Sequence, residues 1–173
     1  MSVLVVFGGL PGTGKTTIAR RLAARRSGVY LRIDAIEQAI RMTAGPAGDV
    51  GAAGYLAANA VAAVNLANGL TVIADCVNPV RESREGWRTT AARAQAKILE
   101  IEVVCSDPVE HRRRIETRDT DIDGLVLPTW DDVLKRDYER WEEPHLIVDT
   151  ASVTPDEAIA IIERQMAVLS IGK

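Results

Sequence analysis

Residues 3–17 read VLVVFGGLPGTGKTT, and the fold is decided there. Val3 to Phe7 is a continuous apolar run, short enough for a strand and apolar enough to be buried on both faces. The segment GLPGTGKT that follows, from Gly9 to Thr16, fits the pattern GxxxxGK[ST], with a strand before it and helical spacing after it. Gly9, Gly12 and Gly14 let the chain curl until backbone N–H groups point inward at phosphate oxygens. The next helix adds the positive end of its dipole. Lys15 is expected to reach the β- and γ-phosphates, and the Thr16 hydroxyl to ligate Mg²⁺. Gly9, Pro11, Gly12, Thr13, Gly14, Lys15, Thr16 and Thr17 are therefore the expected nucleotide-binding set. The same geometry can hold ATP or GTP, and it serves hydrolysis as well as transfer.

Downstream, strand and helix patterns alternate. A helix is expected over 16–26, ended by Gly28, with Ile18, Ala19 and Leu22 inward; a strand over 29–33 delivers Asp34 at its edge. Helical spacing over 35–42 is followed by a turning segment marked by Gly45, Pro46, Gly48, Gly51 and Gly54. An alanine-rich helix then runs to Ala67 with Asn68-Gly69 as its stop. Further strands are expected over 71–74, 98–105 and 146–148. Helices are expected over 82–96, from Pro108, over 130–141 and from Pro155. Five strands separated by helices predict a three-layer α/β domain with a mostly parallel sheet. Ligands in such sheets gather at the carboxyl ends of strands.

Composition sets outer bounds. The chain has 173 residues, which fits one domain spanning 1–173. Hydrophobic residues make up 47% and charged residues 26%, so a globular core is expected without a metal or disulfide to hold it. Aromatics supply 4%, and Phe7 is the sole phenylalanine, so Val, Ile, Leu and Ala must fill the core. With 24 acidic against 21 basic residues the net charge is −3, which makes a general nucleic-acid surface unlikely as a partner. No apolar stretch approaches the roughly 18–20 residues needed to span a bilayer, and no signal-peptide pattern stands at the N-terminus. Cys76 and Cys105 read as small hydrophobes of a cytoplasmic protein.

The strand ends collect the remaining chemistry. Asp34 is placed to orient or deprotonate an acceptor hydroxyl, or else to cap the helix behind it. Asp75, ending Val72-Ile73-Ala74, suits a carboxylate that holds the Mg²⁺ shell through water; acceptor-side base is its rival role. Asn78, Arg81 and Arg84 could hold acceptor or phosphate oxygens, or could be a turn and a solvated helix face. Arg112, Arg113, Arg114 and Arg118 are the densest positive cluster. A helix cannot aim three successive side chains at one point, so Arg114 and Arg118, four apart, are the preferred pair over the phosphates. Asp119, Asp121 and Asp123 lack the pattern of a calcium loop and read as solvated or hinge residues.

Through the segments 9–17, Leu31-Arg32-Ile33-Asp34, residues 72–84 and 147–150, the sequence resembles the P-loop kinase superfamily. It looks most like small kinases of the zeta-toxin, gluconate kinase, adenylylsulfate kinase and polynucleotide kinase groups. The resemblance implies ATP- and Mg²⁺-dependent transfer of the γ-phosphate to a hydroxyl, a five-stranded parallel sheet, and an arginine-bearing lid, here residues 112–128. It also implies that Asp34 is the acceptor-side aspartate, that Asp75 and Asn78 match a DxTN-like element, and that Asp149-Thr150 is the turn near the adenine. The chain departs from many relatives in having Glu37 where they have an arginine, with Arg41 one turn later. The resulting expectation is a kinase acting on a small-molecule hydroxyl acceptor, as a monomer or weak homodimer. Catalysis would rest on Lys15, Asp34, Asp75, Arg114 and Arg118, metal binding on Thr16 and Asp75, and acceptor binding on Asp34, Arg41, Asn78, Arg81 and Arg84. Residues 45–54 would shape the acceptor pocket. A polynucleotide-end kinase and a nucleotide-dependent switch or hydrolase acting through protein interaction are the alternatives.

Overall fold

The computed structural model describes residues 2–44 and 50–171. Its strands are β1 (Val3–Gly8), β2 (Val29–Arg32), β3 (Val72–Asp75), β4 (Lys97–Val104) and β5 (Leu146–Asp149). The helices are α1 (Lys15–Arg26), α2 (Ile33–Ala44), α3 (Ala53–Ala67), α4 (Arg81–Arg93), α5 (Pro108–Thr117), α6 (Trp130–Leu134) and α7 (Pro155–Ile171). All four strand pairings are parallel, in the order β2-β3-β1-β4-β5, so β1 lies at the centre of the five-stranded sheet.

Alternation along β1 divides the core in two. Val3, Val5 and Phe7 face α1 and α7, where Ile18, Leu22, Ile159, Ile162 and Met166 are buried with them. Leu4 and Val6 face α3 and α4, against Ala58, Ala62, Leu66 and Trp87. A strand buried on both sides carries no polar alternation, which is why VLVVF is uninterrupted. On α3 the inward positions Gly54, Ala58, Ala62 and Leu66 are four apart. A side-chain carbon at Gly54 would overlap the Glu37 side chain, so this glycine sets the close approach of α2 and α3. The stop after α3 is as expected: Gly69 takes φ 81° and donates its N–H to the Leu66 carbonyl at 2.9 Å.

Several local expectations are corrected. Ser27, not Gly28, takes the left-handed conformation that ends α1. Gly28 is required instead because a side chain there would overlap Ile73. Asp34 lies inside the first turn of α2, which begins at Ile33, so it does not precede the helix as a cap. The helix expected over 130–141 stops at Leu134. The chain then runs without regular structure to deliver Trp141 into the interior, 5% exposed, under the Arg84 guanidinium 5.2 Å from its ring. Arg118 is the extended residue that closes α5, outside the helix, so the four-residue spacing does not pair it with Arg114. Of the turning segment, residues 45–49 lie outside the described residues.

Cys76 is buried, with its Sγ on the Phe7 carbonyl, while Cys105 is half-buried; both are free. Among the described residues no helix is long and apolar enough to cross a membrane.

Phe7 is fully buried in the central strand, so Phe7→Ala should lower the unfolding free energy by about 3–5 kcal/mol. Chemical denaturation followed by circular dichroism measures this directly.

Candidate active site

The loop between β1 and α1 is the floor of a cavity of about 1160 Å³ at the carboxyl edge of the sheet. Its curl needs positive φ at Gly9 (136°), Gly12 (81°) and Gly14 (91°). Two of these also exclude side chains sterically. A carbon at Gly9 would overlap the Val103 carbonyl, and one at Gly12 would sit 2.6 Å from Ile115 Cδ1. The N-cap of α1 is Gly14, with no side-chain cap and no acidic residue in the first turn. The first-turn N–H groups and the positive helix end are thus left to serve an anion in the cavity.

Lys15 is only 8% exposed and donates to the Leu10 carbonyl at 3.3 Å. Burial pushes its ammonium pKa down, while Asp75 and Asp34 pull it back up. Both carboxylates therefore act on Lys15, Asp75 from the end of β3 and Asp34 from the first turn of α2. Asp75 is buried at the end of β3 and accepts from the Tyr30 hydroxyl at 2.7 Å. Burial, then the Asp75 charge, pushes the Tyr30 phenol above its ordinary range, so it remains a donor. Asp34 lies on the cavity wall, where its charge raises the pKa of Arg118 against the larger effect of burial.

The expected site residues separate into three groups. Pro11, Gly12, Gly14, Lys15, Thr16, Thr17, Asp34, Arg41, Arg114 and Arg118 line the main cavity together. Gly9 and Thr13 line a smaller one of about 120 Å³ behind the loop, and Asp75 acts from beneath Lys15. Asn78, Arg81, Arg84, Asp149 and Thr150 do not line the main cavity. Asn78 is fully buried at φ 56°, its N–H on the Tyr55 hydroxyl at 2.9 Å. Among the described residues both polar atoms of its amide lack a partner. Arg84 is 4% exposed and donates to the carbonyls of Asn78, Glu139 and Arg140, which ties two loops together beneath the site. Arg81 is exposed and paired with Glu85.

Asp149 accepts from the Ser106 hydroxyl and N–H and from the Ala151 N–H, and the Ser106 bonds lead in holding its pKa down to about 2. Thr150 donates to the Thr13 carbonyl at 2.8 Å and so braces the phosphate loop. Arg114 is held by Glu110 at 2.8 Å and by the Thr150 hydroxyl at 2.7 Å. His111, read only as a distant histidine in the sequence, braces the same loop with Nε2 2.7 Å from the Pro11 carbonyl.

The opposite wall holds residues that the sequence reading passed over. Arg32 and Arg20 converge on the Asp121 carboxylate, and Gln38 donates to the Asp123 carbonyl at 3.2 Å. Asp121, exposed as expected, is thus also a tether for residues 118–128. Tyr55 and Arg136 complete this wall, together with Glu37, which the sequence had marked as a departure from its relatives. The period-two placement of Tyr30 and Arg32 along β2 was the available signal for Arg32. Nothing local marked Asp121, because its partners are 101 and 89 residues away.

Asp121 and Arg20 are more than half exposed, and exposed ion pairs contribute about 0–1 kcal/mol each, so this tether is weak enough to open. The Arg32 hydrogen bond leads in depressing the Asp121 pKa. The contact is therefore present above the ordinary carboxylate range and lost only as pH falls through the depressed value. Protection factors over 118–128, which remove the intrinsic pH dependence of amide exchange, should fall only at such acid pH in the wild type, whereas Asp121→Asn should lower them at neutral pH.

No curated protein matches the chain. Its fold is that of several solved structures. The crystal structure of APE1195 is 26% identical with a TM-score of 0.72, covering 96% of this chain and 95% of that one. The Mycobacterium tuberculosis APS kinase CysC, in complex with AMPPNP and APS, is 19% identical with a TM-score of 0.73, covering 96% and 98%. A gluconokinase from Sinorhizobium meliloti 1021 is 19% identical with a TM-score of 0.60, covering 96% of each chain. The AAA domain model matches residues 4–136, a span that runs from β1 through the phosphate loop and both cavity walls to the end of α6. The chain belongs to the AAA domain family.

Proposed function

We propose that the protein is an ATP- and Mg²⁺-dependent phosphotransferase that moves the γ-phosphate of ATP to a hydroxyl of a small-molecule acceptor. The observation that carries this reading is the sharing of one cavity by the phosphate loop and Asp34, whose lining continues along Glu37, Gln38, Arg41, Tyr55 and Arg136. A volume of about 1160 Å³ exceeds the usual range for one drug-sized ligand, about 300–1,000 Å³, and suits two substrates side by side. A nucleotide switch needs the loop but no room for a second substrate. The fold shared with an APS kinase and a gluconokinase supports the same reading.

The donor set fits a nucleotide with Mg²⁺. The uncapped first turn of α1 and the buried Lys15 ammonium offer N–H donors to phosphate oxygens. Thr16 lies on the cavity wall and would hold the metal directly, with Asp75 holding its water shell. When bound, Mg²⁺ supplies charge neutralisation across the phosphates. The chain's own residues do the rest. Residues 9–17 fix the phosphates by backbone N–H groups, and Lys15 is held on line by Asp75 and Asp34. Asp34 orients the acceptor hydroxyl and takes its proton. Arg114 and Arg118 stabilise charge on the transferred group from the segment 112–128, which acts as the lid, and closure over the cavity excludes water. Arg41 belongs to the acceptor side. Asp149 and Thr150 act on the nucleotide by bracing the loop. Residues 1–173 are read as one kinase domain of a cytoplasmic protein, monomeric or weakly dimeric.

Incubating the protein with γ-labelled ATP and a library of alcohols, with mass determination of the labelled product, tests the reaction and identifies the acceptor. Lys15→Ala should abolish transfer without changing the circular dichroism spectrum. Asp34→Asn should lower single-turnover transfer about 10²–10⁴-fold while nucleotide affinity holds; near-normal transfer would remove Asp34 from the chemistry.

A further inference from the structure

The outward side of α3 is apolar from end to end. The helix reads AGYLAANAVAAVNLA and contains no charged residue. Ala53, Leu56, Ala57, Ala60, Val64 and Ala67 share one side of it by helical spacing, and all six are exposed. Leu56 is 69% and Val64 64% exposed, and the neighbouring Val61 is exposed as well. The outward sides of other helices are ionic: α1 shows Arg21 and Arg25, α4 shows Glu82 and Glu85, and α5 shows Arg112 and Arg113. Single exposed aliphatic residues are ordinary, whereas a contiguous apolar stripe along a whole helix marks a contact surface.

The pattern on this side identifies its partner. Ala53, Ala60 and Ala67 are seven residues apart, with a branched side chain between each pair, which is the seam of a two-helix coil. The stripe is also symmetric about Ala60. Reversing the helix sets Ala53 on Ala67, Leu56 on Val64 and Ala60 on itself, as an isologous two-fold contact requires. A foreign partner imposes no such symmetry. An antiparallel pair also sets the two helix dipoles head to tail, and no charge on either face is stripped of water. The size of the face fixes the strength. A helix of 15 residues is about 22 Å long and about 10–12 Å across, so half of its surface is roughly 350–400 Å². That is about half of the roughly 800 Å² per partner of a standard interface, so the pair forms and parts with concentration.

We propose that α3 is a self-association face, on which a second copy of this chain docks its own α3 antiparallel, about a two-fold axis at Ala60, as a weak dimer. This holds whichever reaction the cavity serves. The contact borders that cavity. Tyr55, next to Leu56, lines it and takes the Asn78 N–H on its hydroxyl, while Gly54 fits against Glu37 of α2. The second copy thus braces from outside the helix whose inner side supports the cavity wall.

Sedimentation equilibrium from micromolar to millimolar protein gives the dimer constant of the wild type, Leu56→Glu, Val64→Lys and the double variant. Both positions are exposed, so circular dichroism should be unchanged in all four proteins. The wild type should associate, and each single variant should weaken the dimer about tenfold or more, because it buries an unpaired charge. The two new charges are eight residues apart in one chain, about 12 Å along the helix, and meet only across the antiparallel pair. The double variant should therefore recover about fivefold over either single variant. A wild type that is monomeric throughout overturns the proposal, as does a dimer constant that ignores both single variants. A double variant no tighter than the single ones overturns the antiparallel pairing at Ala60. A monomeric wild type that binds phosphatidylcholine vesicles, and loses them in Leu56→Glu, gives the face to a lipid surface and overturns self-association.

Discussion

A strand that stops at Gly8 and a helix that starts at Lys15 must be joined so that several backbone N–H groups converge on one point. That convergence is a steric constraint before it is an electrostatic one. The loop tolerates no side chain at Gly9, where the Val103 carbonyl is already in contact, or at Gly12, where Ile115 and His111 press from α5. Around it the fold supplies struts: Thr150 from the end of β5, His111 from α5, and Trp141 packed against Gly8. Each strut comes from a different part of the chain. A loop of glycines has the most conformational freedom to lose, so its rigidity must come from these neighbours.

Charge is distributed against the molecule's overall balance. The whole chain is acidic, at −3, yet the main cavity carries Lys15, Arg20, Arg32, Arg41, Arg114, Arg118 and Arg136 against Asp34, Glu37, Asp119 and Asp121. Most of these cations are held in place by carboxylates of their own elements or of the segment 118–128. Such pairs are individually weak where exposed, and their effect is geometric: they aim the guanidinium groups and close the rim over the cavity. A site built this way responds to polyanions without presenting a basic surface to solvent.

Legibility followed the range of the interactions. The phosphate loop, the stop after α3 and the doubly buried β1 depend on neighbours within a few residues, so GLPGTGKT, Asn68-Gly69 and VLVVF are read correctly as text. The helix expected over 130–141 failed because Trp141 gains more from burial under Arg84 than from helical continuation. Arg84 shows the same limit. Its place near the Asn78 turn suggested a ligand contact, but the backbone carbonyls of Asn78 and of Glu139 and Arg140, 55 and 56 residues away, claim it. Asp121 is exposed as read, but its tethering was not legible because its partners, Arg20 and Arg32, approach only after the sheet has formed.

By itself the sequence determined the strand–loop–helix unit, the parallel α/β architecture and the set of residues at the strand ends, because each follows from local backbone preference and hydrophobic period. Only the tertiary structure decided which of those residues share a cavity. It placed Asp34 and Arg118 on the same wall as Lys15 and kept Asp75 beneath it. It turned Arg84, Asn78 and Thr150 into supports, and it brought in Arg32, Asp121 and Arg136. The reason is physical: a charge is compensated by whatever lies within a few ångströms, and which charges come that close is fixed by helix and sheet packing over separations as large as 137 residues.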